Sequence, residues 1–237
     1  SATKHEIKPV PDLVANALGA NLYYTRFTGH GQTGVELGEA KLSDWANDYA
    51  EAIEIGRRLG KRVLVISTST GSTLATWAHT KPDLSKDLLG IVMLSPNFAT
   101  KALPTAVGNM PWAETILPLL GGDHRSWEPY NEEQGKWWTT SYPSKAIFPM
   151  FALLNLVENI DKSEIKTPLF MAFSHDDQVI APNEVEVVAG EWGGPVELIT
   201  LTGALDPSNH VLAGDILGPD NTEPLSEKIS EWALKLL

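Results

Sequence analysis

The stretch that decides the fold is residues 62–75, RVLVISTSTGSTLA. Its first part, Arg62–Ser67, is almost continuously apolar and rich in β-branched residues, which is typical of a parallel strand that is covered on both faces. The chain then continues directly into a helix candidate at Ser72–His79. A buried strand that turns at once into a helix predicts an α/β architecture.

The rest of the chain repeats this alternation. Further strands are predicted at Asn21–Phe27, Gly90–Ser95, Pro168–Ser174 and Val196–Leu201, the last nearer an edge because it alternates more. Asp44–Leu59 has apolar residues at three- and four-residue spacings, with Ser43 as a candidate N-cap and Gly60 as a stop. Other helices are predicted at Val10–Leu18, Asn183–Trp192 and Glu223–Leu237. The pattern predicts a mostly parallel sheet with helices on both faces.

Residues 97–163 interrupt this rhythm. The segment contains no clear strand, yet it holds four of the eight tryptophans, namely Trp112, Trp127, Trp137 and Trp138. A structureless loop of that length is improbable in a compact domain. We therefore predict a helical insertion at 97–163 over one end of a core formed by 1–96 and 164–237.

Composition excludes several classes of function. The 237 residues carry a formal charge of −12, which disfavours nucleic acid as a partner. Without cysteine there is no disulfide, thiolate metal site or cysteine nucleophile. No apolar run reaches the length of a membrane span; the longest, Lys145–Val157, is broken by Pro149. A soluble domain is predicted, and the cytoplasm is favoured because the first residues lack a signal-peptide core, although a targeting segment upstream stays open.

The Ser/Thr-rich turn after the first buried strand is the strongest chemical signal. A nucleophile elbow needs small residues two positions before and two after the nucleophile, and Ser67 and Gly71 flank Ser69 in this way. The Thr70 N–H, at the helix N-terminus, would point at a developing oxyanion. Ser67 and Ser72 are rivals that lack small neighbours at that spacing. The alternative is that the run only ends a strand and caps a helix.

Two acidic residues follow the strand at Pro168–Ser174. Functional groups of a parallel sheet lie at the carboxyl ends of its strands, and Asp177 is placed to orient a histidine, with Asp176 as its competitor. An Asp-rich turn is the alternative. His175 beside two carboxylates also suggests a metal, but adjacent residues at one strand end seldom converge on an ion, so no metal site is predicted.

A histidine completes the set. His210 follows the Val196–Leu201 strand after a short loop, in Asp206-Pro207-Ser208-Asn209-His210. A single histidine is more often structural than catalytic. The order Ser, Asp, His, with each residue after a predicted strand, makes Ser69, Asp177 and His210 a candidate catalytic triad.

Several segments resemble the lipase and carboxylesterase branch of the α/β-hydrolase superfamily, near bacterial monoacylglycerol-lipase-like esterases. They are TRFTGHGQTG (25–34), VISTSTGSTLA (65–75), VMLSPNF (92–98), SHDDQVIAP (174–182) and SNHVLAG (208–214). The resemblance implies that Asp177 rather than Asp176 is the triad acid. It also implies that the insertion is a cap that forms the substrate pocket, and that His30 in Gly29-His30-Gly31 is structural.

The chain departs from this family at its beginning. Family members carry a His-Gly-aromatic or His-Gly-Leu segment that supplies a second oxyanion donor, and Ser1–Lys4 would lie just after it. The family's first strands are also missing from the sequence, so we expect either a late start or a different oxyanion hole.

Together these features predict a serine hydrolase for carboxylic esters with an apolar acyl or alcohol part, acting without a cofactor on a small-molecule substrate. A thioesterase, an aminopeptidase or a C–C hydrolase would use the same triad, and a non-catalytic ligand-binding protein is the alternative of another class. STSTGST lacks the Gly-Lys pair of a phosphate loop, which excludes nucleotide binding there. The sequence does not indicate the oligomeric state.

Overall fold

The computed structural model describes residues 2–108, 110–113, 116 and 122–237. The described strands are β1 (Val63–Thr68), β2 (Leu88–Leu94), β3 (His124–Ser126), β4 (Ser141–Pro143), β5 (Leu169–Phe173) and β6 (Val196–Thr200). The main sheet has the order β1-β2-β5-β6, and all its pairs are parallel. The predicted strands at 62–67, 90–95, 168–174 and 196–201 are confirmed within two residues, and β6 lies at an edge as expected. The expectation that the strand at 62–67 is covered on both faces is wrong, because β1 lies at the other edge of the sheet and most of its residues are only half-buried.

The described helices surround this sheet. They are α1 (Val10–Leu18), α2 (Gly34–Glu39), α3 (Leu42–Leu59), α4 (Thr70–Ala78), α5 (Pro82–Ser85), α6 (Thr105–Gly108), α7 (Glu132–Trp137), α8 (Phe148–Glu158), α9 (Pro182–Glu191) and α10 (Pro219–Leu234). Short 3₁₀ turns occur at Lys4–Glu6, Ser144–Ile147 and Lys162–Glu164. Gly60 ends α3 as predicted, but Ser43 does not cap it. The helix begins at Leu42 because the Asp44 carboxylate accepts from the Lys41 N–H at 2.9 Å.

Alternate residues of the central strands face two separate apolar cores. On one face, Ile91, Met93, Leu169, Met171 and Phe173 pack with buried residues of α3, α4, α8 and α9. On the other face, Val92, Leu94, Phe170 and Ala172 pack with α1 and α10. Helices therefore cover both faces of a mostly parallel sheet, which confirms the predicted α/β fold class.

The predicted strand at Asn21–Phe27 is wrong. These residues form no strand ladder with any described segment. Side chains of this segment instead bind neighbouring helices and their ends: Asn21 Nδ2 donates to the Leu59 carbonyl at 2.7 Å, and the Tyr24 hydroxyl donates to Asp12 Oδ2 at 2.6 Å. A strand requires a neighbouring ladder, and this segment and the edge strand β1 both line one cavity instead of pairing with each other.

The predicted insertion at 97–163 contains residues that lie outside the described ones, so its helical content can be compared only in part. Its described portion holds α6, α7 and α8, but also the antiparallel pair β3–β4, which the expectation of a purely helical segment missed. Those strands are three residues each, too short for an alternating pattern to reveal. Toward its end, Leu153 and Val157 of α8 are buried in the core beside α4.

Candidate active site

The turn between β1 and α4 places Ser69 in a strained backbone conformation. Its φ of 49° and ψ of −121° lie outside the regions that L-residues ordinarily adopt. Two backbone hydrogen bonds hold the turn: the Ser69 N–H donates to the Leu94 carbonyl at 3.0 Å, and the Asn97 N–H donates to the Ser69 carbonyl at 3.2 Å. Strain of this kind persists only where the surrounding structure enforces it, and it concentrates at functional sites.

The two small residues that flank Ser69 face each other across the turn. A Cβ added to Gly71 would lie 3.8 Å from the Cβ of Ser67, so one carbon fits but a longer side chain would meet Ser67. The rival serines are engaged elsewhere. The Ser67 hydroxyl donates to the Val92 carbonyl at 2.9 Å and lies 3.0 Å from the Ser72 hydroxyl, and both side chains are buried.

The structure brings together the three residues that the sequence singles out. His210 Nε2 lies 3.0 Å from Ser69 Oγ, and His210 Nδ1 lies 2.8 Å from Asp177 Oδ2. With Nδ1–H donating to the carboxylate, Nε2 is left to accept from the serine hydroxyl. The three side chains thus form one continuous hydrogen-bonded series over chain separations of 141 and 33 residues.

The loop after β5 distinguishes its two aspartates. Asp177 is fully buried, and its Oδ1 accepts from the N–H groups of Val179 and Ile180 at 2.7 and 3.0 Å. Asp176 is exposed, as is His175, whose ring packs edge-on against Phe173 at 4.9 Å. The described residues hold no group of three or more His, Cys, Asp or Glu arranged for a metal ion.

The environment of His210 favours its charged form. Burial by itself lowers the pKa of the imidazole, but the hydrogen bond and charge of Asp177, with the charges of Glu6 and Asp206, outweigh burial and raise the pKa above its usual value. Conversely, burial raises the pKa of the Glu6 carboxyl, which the nearby His210 lowers in part. The site therefore stabilises an imidazolium that forms next to Ser69.

Two groups around His210 escaped the sequence reasoning. The Ser95 hydroxyl donates to the His210 carbonyl at 2.6 Å, and the Asp206 carboxylate accepts from the His210 N–H at 3.0 Å. Asp206 belongs to the Asp-Pro-Ser-Asn-His segment, where an aspartate shortly before a turn is a recognisable signal of local backbone hydrogen bonding. Ser95 offered no such signal, because only the tertiary structure brings it near residue 210.

His30 lies apart from this series. Burial lowers the pKa of its imidazole to about 3. Its Nδ1 lies 3.3 Å from the Thr28 carbonyl, and its ring packs edge-on against Trp45 at 5.6 Å. A histidine that stays neutral and packs in this way fits the structural role that the sequence suggested for the Gly-His-Gly turn.

A large cavity opens beside the serine. Its volume is about 2010 Å³, and Ser69, Thr70, Asp206 and His210 all line it. Much of its wall is aromatic, with Tyr23, Trp127, Tyr130, Trp137, Trp138 and Tyr142. Thr70 is the first residue of α4, so its N–H is one of the helix N-terminal groups that lack an intrahelical acceptor. Ser69 and His210 thus border a mostly apolar space.

Comparison with known proteins defines the class of fold. No protein-family model matches the chain, and no curated protein matches it by sequence. Solved structures do match: one of the metagenome-derived lipolytic enzymes LipS and LipT superposes with a TM-score of 0.72 at 20% identity, covering 95% of this chain and 88% of that one. The monoacylglycerol lipase of Paleococcus ferrophilus gives 0.69 at 16% identity, covering 100% and 91%.

A soluble variant of the monoglyceride lipase of Saccharomyces cerevisiae is more distant. Its TM-score is 0.61 at 13% identity, and the match covers 88% of this chain and 75% of that one. With the parallel sheet and its two helical layers, these matches show that the chain has the α/β-hydrolase fold. No described helix is long and apolar enough to cross a bilayer.

Proposed function

We propose that this protein is a serine hydrolase that cleaves carboxylic esters with an apolar acyl or alcohol part. The observation that carries the proposal is the hydrogen-bonded series Ser69–His210–Asp177 at the wall of an aromatic cavity. A serine, a histidine and a buried carboxylate in this order of contact define an activated nucleophile, whatever their order in the chain. The lipolytic names of the matched structures agree with this chemistry.

In the first half of the reaction, Ser69 Oγ attacks the ester carbonyl carbon while His210 Nε2 takes the hydroxyl proton. The carbonyl oxygen becomes an oxyanion, to which the Thr70 N–H donates. Asp177 keeps Nδ1 protonated and stabilises the imidazolium. When the tetrahedral intermediate collapses, the carbon–alkoxy bond breaks, and His210 gives its proton to the leaving alcohol. The acyl group remains on Ser69.

The second half repeats these roles with water. His210 Nε2 takes a proton from a water molecule as its oxygen attacks the acyl carbon. Collapse of the second intermediate breaks the bond to Ser69 Oγ, and His210 returns the proton to that oxygen. The carboxylic acid is released and the enzyme is restored.

The substrate class follows from the cavity. The mostly apolar wall of this cavity, with its aromatic side chains, supports a substrate with an apolar acyl or alcohol group. Trp127, Trp137 and Trp138 belong to the segment 97–163, which we propose acts as a cap. A thioester would react with the same Ser69, His210 and Asp177. The first substrate panel should therefore include ester and thioester pairs with identical acyl groups.

The test is covalent labelling with a fluorophosphonate, followed by peptide mass spectrometry and by assay of p-nitrophenyl esters. We expect the adduct on Ser69, and we expect Ser69→Ala to lose both the adduct and roughly 10⁴–10⁶ of kcat. Ser85→Ala, in the short helix α5, is the matched control and should label like the native protein. Retention of most turnover by Ser69→Ala, or an adduct elsewhere, would contradict the proposal.

A further inference from the structure

Asp206 is a buried carboxylate around which the histidine loop is wound. It is 7% exposed, and Oδ2 accepts from the Ser208 hydroxyl at 2.7 Å and from the N–H groups of His210 and Val211 at 3.0 and 2.8 Å. Oδ1 accepts from the Ser208 N–H at 3.0 Å. Four donors on one carboxylate, three of them backbone, exceed what a simple turn requires.

These contacts fix the backbone of His210 and, through it, the position of the imidazole. The N–H of His210 is held by Asp206, and its carbonyl accepts from Ser95 Oγ at 2.6 Å, so both ends of the residue's backbone are anchored. The loop is tied in turn to the loop of the triad acid, because the Gln178 N–H donates to the Ser208 carbonyl at 2.8 Å. Asp206 therefore holds the backbone from which the His210 ring reaches Ser69.

Asp206 also acts through its charge. The charged groups that face His210 are Asp177 in the loop after β5, Glu6 in the first 3₁₀ turn, and Asp206 in the loop of the histidine itself. All three favour the imidazolium, but only Asp177 bonds to the ring. Asp206 and His210 are both buried, and a charge in a buried position acts more strongly on its neighbours than the same charge on the surface.

We propose that Asp206 is a positioning residue of the hydrolase: its carboxylate sets the place of the His210 ring and supplies a further fixed negative charge, in addition to those of Asp177 and Glu6, that stabilises the imidazolium. This inference rests on the proposed function and adds a fourth residue to the hydrogen-bonded series Ser69–His210–Asp177. It differs from a purely structural role, because a loop anchor without electrostatic effect would leave the titration of His210 unchanged.

The test compares Asp206→Asn with Asp215→Asn, an exposed aspartate of the same loop region whose carboxylate does not line the cavity. For Asp206→Asn we expect kcat for p-nitrophenyl acetate to fall about 10²-fold, the loss that a slightly misplaced catalytic group produces, with little change in KM. Removing the negative charge lowers the pKa of His210, and activity requires the neutral ring, so the acid limb of kcat/KM moves to lower pH. Asp215→Asn should match the native protein.

NMR titration of the His210 ring measures the same change in its pKa, and it does not require that the enzyme turn over a substrate. If the native protein neither hydrolyses esters nor labels at Ser69, the proposed function fails, yet the titration still reads the effect of Asp206. An unchanged His210 titration in a folded Asp206→Asn variant would overturn the inference. Asp206→Glu keeps the charge but moves it by one methylene, and serves if Asp206→Asn does not fold. It should keep the acid limb and lose kcat, and an unaltered kcat would equally overturn the inference.

Discussion

The carboxyl end of the sheet and the segment 97–163 border the same cavity but are built differently. At the sheet, Ser69, Asp177 and His210 follow β1, β5 and β6, and the central strands β2 and β5 of that sheet are buried in a close-packed core. In the segment, the described strands are three residues long, and Trp127 and Trp137 are more than a third exposed. We therefore expect the chemistry to depend on the strand ends of the sheet and the selectivity to depend on the segment 97–163.

The largest expected effect is at the carboxyl end of the sheet, in the loop after β5 that holds both Asp177 and Asp176. Asp177→Asn should lower kcat by about 10⁴, because an amide cannot hold the imidazole in the required tautomer or stabilise its charge. Asp176→Asn removes the same charge from the neighbouring, exposed position, and its kcat should stay at the native level. Steady-state assays of the two variants make the comparison, and equal losses would remove the distinction between these carboxylates.

A second comparison concerns stability. Phe170 of β5 is fully buried and packs against Trp232, with ring centroids 5.6 Å apart. Phe170→Ala should lower the free energy of unfolding by about 3–5 kcal/mol, because it removes a core ring and leaves a cavity. Trp112→Ala, in the segment, should change it by less than about 0.5 kcal/mol, since that side chain is 79% exposed. Urea unfolding measures both, and a large loss at Trp112 would show that the exposed part of the segment contributes to stability as the core does.

The smallest expected effect is at Trp127, and it tests whether the segment 97–163 determines substrate selectivity. Trp127 lines the cavity and packs edge-on against Tyr142, with ring centroids 5.7 Å apart. Trp127→Ala should raise KM for long-chain esters by about tenfold and leave kcat for short-chain esters unchanged, because only apolar contact with the distant part of the substrate is lost. Trp112→Ala, outside the cavity wall, is the control. Equal effects on short and long chains would place Trp127 with the chemistry instead.

The sequence reasoning succeeded where one local pattern carries the information. The apolar runs at 62–67, 90–95 and 168–174 correspond to strands. At 90–95 and 168–174 the reason is burial on both faces, which leaves a strong local signature. The run at 62–67 is a strand at the edge of the sheet and is mostly half-buried. It failed at Asn21–Phe27, where the same kind of pattern found no ladder, and at Ser43, because a carboxylate three residues from the cap decided where α3 begins. The short pair β3–β4 gave no periodic signal.

The sequence by itself determined the α/β class, the elbow around Ser69, and the candidates Asp177 and His210, because strand burial and turn chemistry depend on neighbours along the chain. The tertiary structure decided which residues meet. It separated Asp177 from Asp176 by burial, engaged Ser67 and Ser72 elsewhere, and brought Ser95 against His210 from 115 residues away. Contacts between distant segments depend on the packing of the whole chain, which no local pattern encodes.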